Sequence, residues 1–254
     1  MGDMPSILDE VANAGIPTRQ LDWHYRSRDE ALIAFSNHHY YGDRLVTFPA
    51  PSTGSDAVRF HDVGGTYARG SGRINQVEAK AIVAMIAKRL SDWIKRDPKD
   101  RLTLGVITFN SQQQGLILDL LDDLRRSRPD LEWFFEDARE EPVIVKNLEN
   151  IQGDERDVML FSITFGPDHA GKLSMAFGAL NGDGGEKRLN VAVTRARAEL
   201  HVFASIRADQ IDLTRTKAIG VKHLKGFLDF AARGPVALPA QDDGSLGPVE
   251  NVFE

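Results

Sequence analysis

The chain has 254 residues, of which 42% are hydrophobic, and its formal net charge is -6. This composition is sufficient for one large folded domain, and the acidic balance excludes a general electrostatic attraction to nucleic acid, so any such binding needs local basic patches. Because cysteine is absent, disulfides and cysteine-based metal sites are excluded. With neither a leader-like segment nor an apolar run of membrane-spanning length, we expect a soluble, cytoplasmic protein without a membrane partner.

The N-terminal part of the chain predicts one helix and one strand. Residues 1–20 hold a short amphipathic run stopped by glycine and proline, and we interpret them as a lead-in segment. The next segment predicts a helix that Asp29 would cap, with Arg26 in the loop before it. Residues 57–61 are a strand candidate, and the glycine-rich residues 63–72 predict a flexible connection.

The rest of the chain alternates between helix and strand patterns. Helices are predicted at residues 75–97, 112–126 and 220–232, and strands at 102–108, 142–145, 158–164 and 200–204. The segment LTLGVIT is almost continuously apolar, which is typical of a strand covered on both faces. This alternation predicts an α/β fold with a parallel sheet flanked by helices. After this, residues 234–254 lose all periodicity and are interpreted as a linker or disordered tail.

Two polar stretches are candidates for a ligand site. LNVAVTRAR, residues 189–197, predicts a short helix with Arg195 off its apolar face, where a planar guanidinium could bind a phosphate. The alternative is a surface arginine paired with Glu186 or Glu199. NIQGDERD, residues 150–157, follows a strand candidate. Because ligands collect at the carboxyl ends of parallel strands, we expect these segments and Arg26 to share that edge.

Four segments together resemble a known family: LDWHYRSRDEALIAFSNHHYYGDRL, GVITFNSQQ, VKNLENIQGDERDVMLFS and RLNVAVTRARAELHVF. They are similar to the second RecA-like domain of superfamily 1 helicases of the Upf1-like branch, in the order of motifs IV, V and VI. The sequences of the last two segments are similar to those of large bacterial helicases with a domain of unknown function ahead of the helicase core. The resemblance implies a RecA-like helicase domain at residues 21–233.

The resemblance also implies roles for individual residues around a nucleotide. Arg26 matches the motif IV arginine that touches the γ-phosphate, and Arg195 matches the motif VI arginine finger. Glu155 matches a glutamate at the ribose, a position consistent with the repulsion between a carboxylate and a triphosphate. Gln152 and Gly153 match the motif V turn, which lies between nucleotide and nucleic acid.

The resemblance also implies that other residues contact nucleic acid. Thr108 and Asn110 correspond to a loop that approaches the nucleic-acid backbone in relatives. The segment GPDHAGKL, residues 166–173, has the G-x-x-x-x-G-K spacing of a phosphate loop but ends in leucine instead of serine or threonine. We therefore expect an exposed loop in which Lys172 contacts backbone phosphate, and a domain that lacks its own P-loop.

The resulting expectation is half of an ATP-dependent helicase or translocase. The P-loop and the carboxylates that hold Mg²⁺ would lie on a preceding N-terminal RecA-like domain absent from this sequence, with Met1 as a boundary inside a longer polypeptide. ATP and Mg²⁺ are the expected cofactors, single-stranded nucleic acid, with DNA favoured over RNA, is the expected partner, and no metal site is expected on this chain itself. One alternative is a degenerate RecA-like module without an ATP role. Another, less favoured, is a nuclease built on Asp154, Glu155 and Asp157.

Overall fold

The computed structural model describes residues 11, 13–17, 22–47 and 57–239. Its strands are β1 (Val58–Asp62), β2 (Leu104–Thr108), β3 (Ile144–Asn147), β4 (Arg156–Ser162) and β5 (Ala196–Ala204). Its longer helices are α1 (Ala31–Tyr40), α2 (Gln76–Trp93), α3 (Ser111–Ser127), α4 (Gly185–Val193) and α5 (Ile219–Arg233). Short 3-10 helices connect several of these elements.

The strands form one parallel sheet in the order β1-β5-β4-β2-β3. β2 and β4 lie inside the sheet and every residue of both is buried, as expected for strands covered on both faces. β1 and β3 form its edges within the described part of the chain. The prediction of an α/β fold with a parallel sheet flanked by helices is confirmed.

Helices cover both faces of the sheet and create two apolar layers. Along β4, Met159 and Phe161 pack with the layer that includes α1, α4 and α5, whereas Val158 and Leu160 pack with the layer that includes α2 and α3. This alternation follows from the two-residue period of a strand, which sends successive side chains to opposite faces. No described helix is sufficiently long and apolar to span a lipid bilayer.

Several predicted boundaries differ from the observed ones. β5 begins at Ala196 instead of residue 200, and Arg195 lies after the end of α4 rather than inside the helix. Residues 234–239, assigned to the tail, include a 3-10 helix, and Leu238 packs against the core. Residues 240–254 and most of the lead-in segment 1–20 lie outside the described residues.

Candidate functional site

Three separated segments meet where β4 and β5 begin. Glu155 directly precedes β4 and Arg195 directly precedes β5, and the two strands are parallel neighbours. The backbone N–H of Arg156 donates to the carbonyl of Arg195 at 3.2 Å. The N–H of Arg28 donates to the carbonyl of Arg197 at 2.8 Å, which places the segment with Arg26 beside the same strand.

This position corrects the expected edge of the sheet. Glu155 and Arg195 were assigned to the carboxyl edge, but a residue that directly precedes a strand lies at its amino end. In a parallel sheet each connection leaves the carboxyl edge and returns to the amino edge, so the segment between β3 and β4 has its ends on opposite edges. Arg26, Glu155 and Arg195 therefore form an amino-edge cluster.

Within the amino-edge cluster, Arg26 and Glu155 are an ion pair. The Arg26 Nε atom lies 2.5 Å from a Glu155 carboxylate oxygen, and both side chains are about one-third exposed, at 32% and 29%. Arg197 approaches the other oxygen of Glu155 at 3.6 Å. The carboxylate is thus shared by two arginines.

Arg195 is the cation of this cluster that lacks a carboxylate partner among the described residues. Its Nε donates to the carbonyl of Val191 at 2.7 Å, which fixes the guanidinium against the end of α4. Burial lowers the pKa of Arg195, and the nearby positive charge of Arg26 lowers it further, while Glu155 acts in the opposite direction. The alternative pairing with Glu199 is not observed, because Glu199 pairs with Arg89 at 2.5 Å.

Gln152 and Gly153 form the exposed turn that leads into Glu155. Gly153 has a φ of 94°, a backbone conformation that favours glycine. The geometry of the turn is therefore sufficient reason for a glycine at this position. A Cβ at Gly153 would meet nothing within 4 Å, so no close approach to another part of the chain requires the glycine. Both residues are within three positions of Glu155 in the chain.

The second arginine of TRAR, Arg197, belongs to a supporting ion network. It donates to Glu141 at 2.7 and 2.5 Å and to Asp157 at 3.2 Å. Burial opposes ionisation of Asp157, but hydrogen bonds from Thr103 and Arg197 outweigh it and hold the Asp157 pKa below its usual range. Asp157 is therefore engaged in holding β5 in place. Within the described ranges, no group of three His, Asp or Glu residues is arranged to bind a metal ion, as the nuclease alternative would require.

The residues that were expected to contact nucleic acid lie at the carboxyl edge of the sheet, opposite the amino-edge cluster. Thr108 is fully buried and its hydroxyl donates to the Asn110 carbonyl at 2.8 Å, so its side chain is not exposed to a ligand. Asn110 caps α3 by accepting from the Gln113 N–H, and its amide donates to the Arg73 carbonyl. Lys172 is exposed on the connection after β4.

The segment GPDHAGKL is a turn closed on its own carboxylate. Asp168 Oδ1 accepts from the N–H groups of Ala170 and Lys172, both at 2.9 Å. The next described helix, a short 3-10 helix, begins only at Gly178, so no long helix follows the turn as one does in a phosphate loop. The amides that a phosphate would need are therefore occupied by an internal anion, which agrees with a domain without its own P-loop.

Sequence reasoning missed two arginines beside this turn. Tyr67, Arg69, Arg73, Asn110 and other residues line a cavity of about 310 Å³, and Tyr67 and Arg69 also line an adjoining cavity of about 590 Å³ next to His169. We call these two cavities the carboxyl-edge groove. The sequence does show Arg69 and Arg73 in or beside the glycine-rich residues 63–72. That composition was interpreted only as a flexible connection, so the arginines were not considered as ligand-binding residues.

Sequence reasoning also missed a fully buried carboxyl group on α2. Glu78 accepts hydrogen bonds from Asn75 and Ser205 at one oxygen, and from Ser162 and the Thr164 N–H at the other. Burial raises the pKa of Glu78 to about 7, although these four donors favour its ionised form. The carboxyl group ties α2 to the segments that follow β4 and β5.

Comparisons with known proteins identify the family of the chain. A family model described as an AAA domain matches residues 4–207. An uncharacterized ATP-dependent helicase of Mycoplasma pneumoniae, the MG140 homolog, is 32% identical over 227 residues, which cover 88% of this chain and 19% of that protein. The MG140 helicase of Mycoplasma genitalium is 32% identical over 230 residues, with the same coverage. The chain thus spans about a fifth of the length of these relatives.

Among solved structures, the C-terminal domain of a possible DNA helicase from Lactobacillus plantarum aligns with 71% of this chain and 86% of its own chain. The sequence identity is 14% and the TM-score is 0.35, which is too low to define a common fold. The family match covers most of the chain and, with the helicase relatives, confirms the resemblance to Upf1-like helicases. The chain belongs to the AAA_12 family of AAA domains, which occurs in Upf1-like helicases.

Proposed function

We propose that residues 21–233 are the second RecA-like domain of an ATP-dependent superfamily 1 helicase or translocase. In this proposal the domain supplies Arg195, Arg26 and Glu155 to an ATP site that an N-terminal RecA-like domain of the same polypeptide completes. The observation that carries it is the amino-edge cluster, in which three separated segments meet around an arginine without a carboxylate partner in the described chain.

The geometry suits phosphate binding by Arg195. Its Nε is held by the Val191 carbonyl, which leaves the two terminal nitrogens of the guanidinium for an anion. A half-buried cation with another cation nearby gains more from a bound phosphate than a solvated one does. We propose Arg195 as the arginine finger and Arg26 as a second phosphate contact.

Glu155 is proposed to act at the sugar, because a carboxylate accepts hydrogen bonds from ribose hydroxyls and is repelled by phosphates. Gln152 and Gly153 would contact the nucleotide from the adjacent exposed turn. The Mg²⁺ ligands are proposed to come from the N-terminal domain. This chain would then bind, orient and neutralise charge, which is most of what phosphoryl transfer requires of a protein.

Single-stranded nucleic acid is proposed to bind at the carboxyl edge, with DNA favoured over RNA. The carboxyl-edge groove brings Arg69, Arg73 and Asn110 together, and Lys172 lies on the neighbouring connection. In a chain of net charge -6, a local group of basic side chains is what binding to phosphodiesters needs. Thr108 is left out of this surface because its side chain is buried.

The test uses a polypeptide that contains both RecA-like domains. Replacement Arg195→Ala should lower single-strand-stimulated ATP turnover by at least ~100-fold, since an arginine finger contributes ~10³–10⁵ in rate. Binding of single-stranded DNA should change less than about two-fold, because the site lies at the other edge. Lys187→Ala, which removes an exposed cation from α4, the helix that ends just before Arg195, is the matched control. Unchanged turnover in Arg195→Ala would refute the assignment.

The isolated chain provides a second test. It should hydrolyse no ATP, with or without single-stranded DNA, and Lys172→Ala should behave identically. Turnover that Lys172→Ala abolishes would identify GPDHAGKL as a working phosphate loop. If instead the two-domain protein binds single-stranded DNA but never hydrolyses ATP, the degenerate module is the correct alternative.

A further inference from the structure

A cavity of about 320 Å³ lies between the edge strand β1 and helix α2. β1 and β3 are at opposite edges of the sheet. β1 contributes Arg59 and His61, and the neighbouring strand β5 contributes His201, all on the face that α2 covers. The remaining lining comes from α2 and the residues after it: Met85, Lys88, Arg89, Asp92, Trp93 and Arg96. We call this cavity the β1-edge pocket. It shares no residue with the amino-edge cluster or the carboxyl-edge groove.

The lining of the β1-edge pocket is strongly basic. It contains four arginines or lysines and a single carboxylate, that of Asp92. Asp92 lies 3.6 Å from Lys95, outside the pocket, and Arg89 is engaged with Glu199. Neither Lys88 nor Arg96 has an ion pair with any described residue. The charges of Lys88 and Arg96 are therefore not neutralised by an ion pair within the described part of the chain.

Two histidines form the floor and are held in one orientation. His61 Nε2 and His201 Nδ1 are hydrogen-bonded at 2.9 Å, with their rings stacked. His201 in turn contacts Glu199 and Arg89 at 2.9 and 3.0 Å. Burial, with smaller contributions from His201, Arg59 and Arg89, lowers the pKa of His61 to about 4. The contributions of Arg59 and Arg89 come from nearby positive charges, which would also attract an anion.

We propose that the β1-edge pocket binds a phosphate group. Lys88 and Arg96 provide exposed cations, and Arg89 provides a cation fixed by Glu199. Arginine and lysine together offer the donors that phosphate oxygens require. A volume of about 320 Å³ is at the lower end of ligand sites, about 300–1,000 Å³, and suits a small phosphorylated ligand or one segment of a phosphodiester chain. This inference does not depend on the proposed function.

The test measures binding of inorganic pyrophosphate and of a short single-stranded oligodeoxynucleotide to the chain by titration calorimetry. Lys88→Glu and Arg96→Glu should each weaken binding about ten-fold or more, because a charge-assisted contact becomes a repulsion. Lys80→Glu makes the same charge change on an exposed position of α2 that does not line the pocket, and it should change binding less than about two-fold. All three positions are exposed, so unfolding is not expected to complicate the comparison.

The two probes distinguish the sources of the phosphate. Saturable pyrophosphate binding that depends on Lys88 identifies a free phosphorylated ligand, and Lys88-dependent binding of the oligonucleotide alone identifies a nucleic-acid backbone. In either case the imidazole resonances of His61 and His201 should shift during the titration. The proposal is overturned if neither probe binds saturably, or if Lys80→Glu weakens binding as much as Lys88→Glu does.

Discussion

Replacing Glu78 by glutamine or leucine should give a protein whose stability depends on pH differently from the wild type. The Glu78 carboxyl group is fully buried and accepts four hydrogen bonds. In Glu78→Gln one oxygen becomes an NH₂ group, which faces either the Thr164 N–H or the Asn75 amide, and both are donors. At least one donor then lacks its partner, at a cost of about 1–3 kcal/mol. Glu78→Leu removes the acceptor of all four hydrogen bonds, although the Asn75 amide still donates to Ser205 Oγ at 2.8 Å, and it should be the less stable variant.

The sign of the pH effect follows from the raised pKa. The Glu78 pKa is 4.5 ordinarily and about 7 in the folded protein, so folding favours the protonated form. This contribution to the free energy of unfolding is fully present below pH 4.5 and is lost as the pH rises through 7. At 1.36 kcal/mol for each pKa unit, the difference amounts to about 3 kcal/mol.

Urea unfolding measured at several pH values provides the assay. The free energy of unfolding of the wild type minus that of a variant should fall by about 3 kcal/mol over this range, because other titrating groups cancel in the difference. This difference should fall by the same amount for Glu78→Gln and Glu78→Leu, because both variants lack the carboxyl group. The free energies of unfolding of the two variants should therefore differ by the same amount at every pH. A difference that does not change with pH would show that the four donors keep Glu78 ionised and would refute the reasoning.

Three further predictions concern stability and can be checked by thermal or urea unfolding. Gly115→Ala, on α3 with nothing near its Cβ position, should stabilise the chain by about 0.5–1 kcal/mol. Gly65→Ala should destabilise it by about 1–3 kcal/mol, because the new Cβ would overlap Asn75 Oδ1; equal effects of these two glycine substitutions would contradict the packing described here. Arg197→Met should cost about 1.5–3 kcal/mol, because it removes one charged hydrogen-bond partner of the buried Asp157; a loss under about 1 kcal/mol would show that Arg28 and Thr103 suffice.

The sheet was predictable from the sequence because its inner strands are continuous apolar runs. LTLGVIT and the segment around Val158 are typical of strands covered on both faces, and the helices between them have clear apolar periodicity. β3 was placed two residues early, because Pro142 and Val143 continue its apolar pattern without pairing in the sheet. Hydrophobicity indicates where a strand lies, but hydrogen bonding to a neighbour decides where it ends.

Arg26, Glu155 and Arg195 lie close together, as expected, but at the amino edge of the sheet instead of the carboxyl edge. Glu155 precedes β4 and Arg195 precedes β5, and this order alone places both at the amino edge once the strands are parallel. The necessary information was therefore in the sequence. Whether these residues bind a nucleotide remains a prediction.

Glu78 is a different case, because its sequence signal pointed elsewhere. Asn75 and Glu78 have the spacing of a capping box, in which the glutamate returns to the N-cap N–H. Here that N–H donates to Gln113 at 2.8 Å, and the Glu78 carboxylate turns inward to residues more than eighty positions away. Local spacing cannot reveal a contact that depends on the assembled sheet.

The sharing of Glu155 between two arginines has a consequence for any ligand that approaches the amino edge. If Arg26 turned towards an anion, the Glu155 carboxylate would still face Arg197 at 3.6 Å. Arg26 can therefore exchange its partner while Glu155 keeps an attractive contact with Arg197, so the electrostatic barrier to that exchange is lower than for an isolated pair. Arg197 stays close to Glu155 whether or not Arg26 is paired with it. The Arg26 side chain can therefore change partners while β4 and β5 keep their positions.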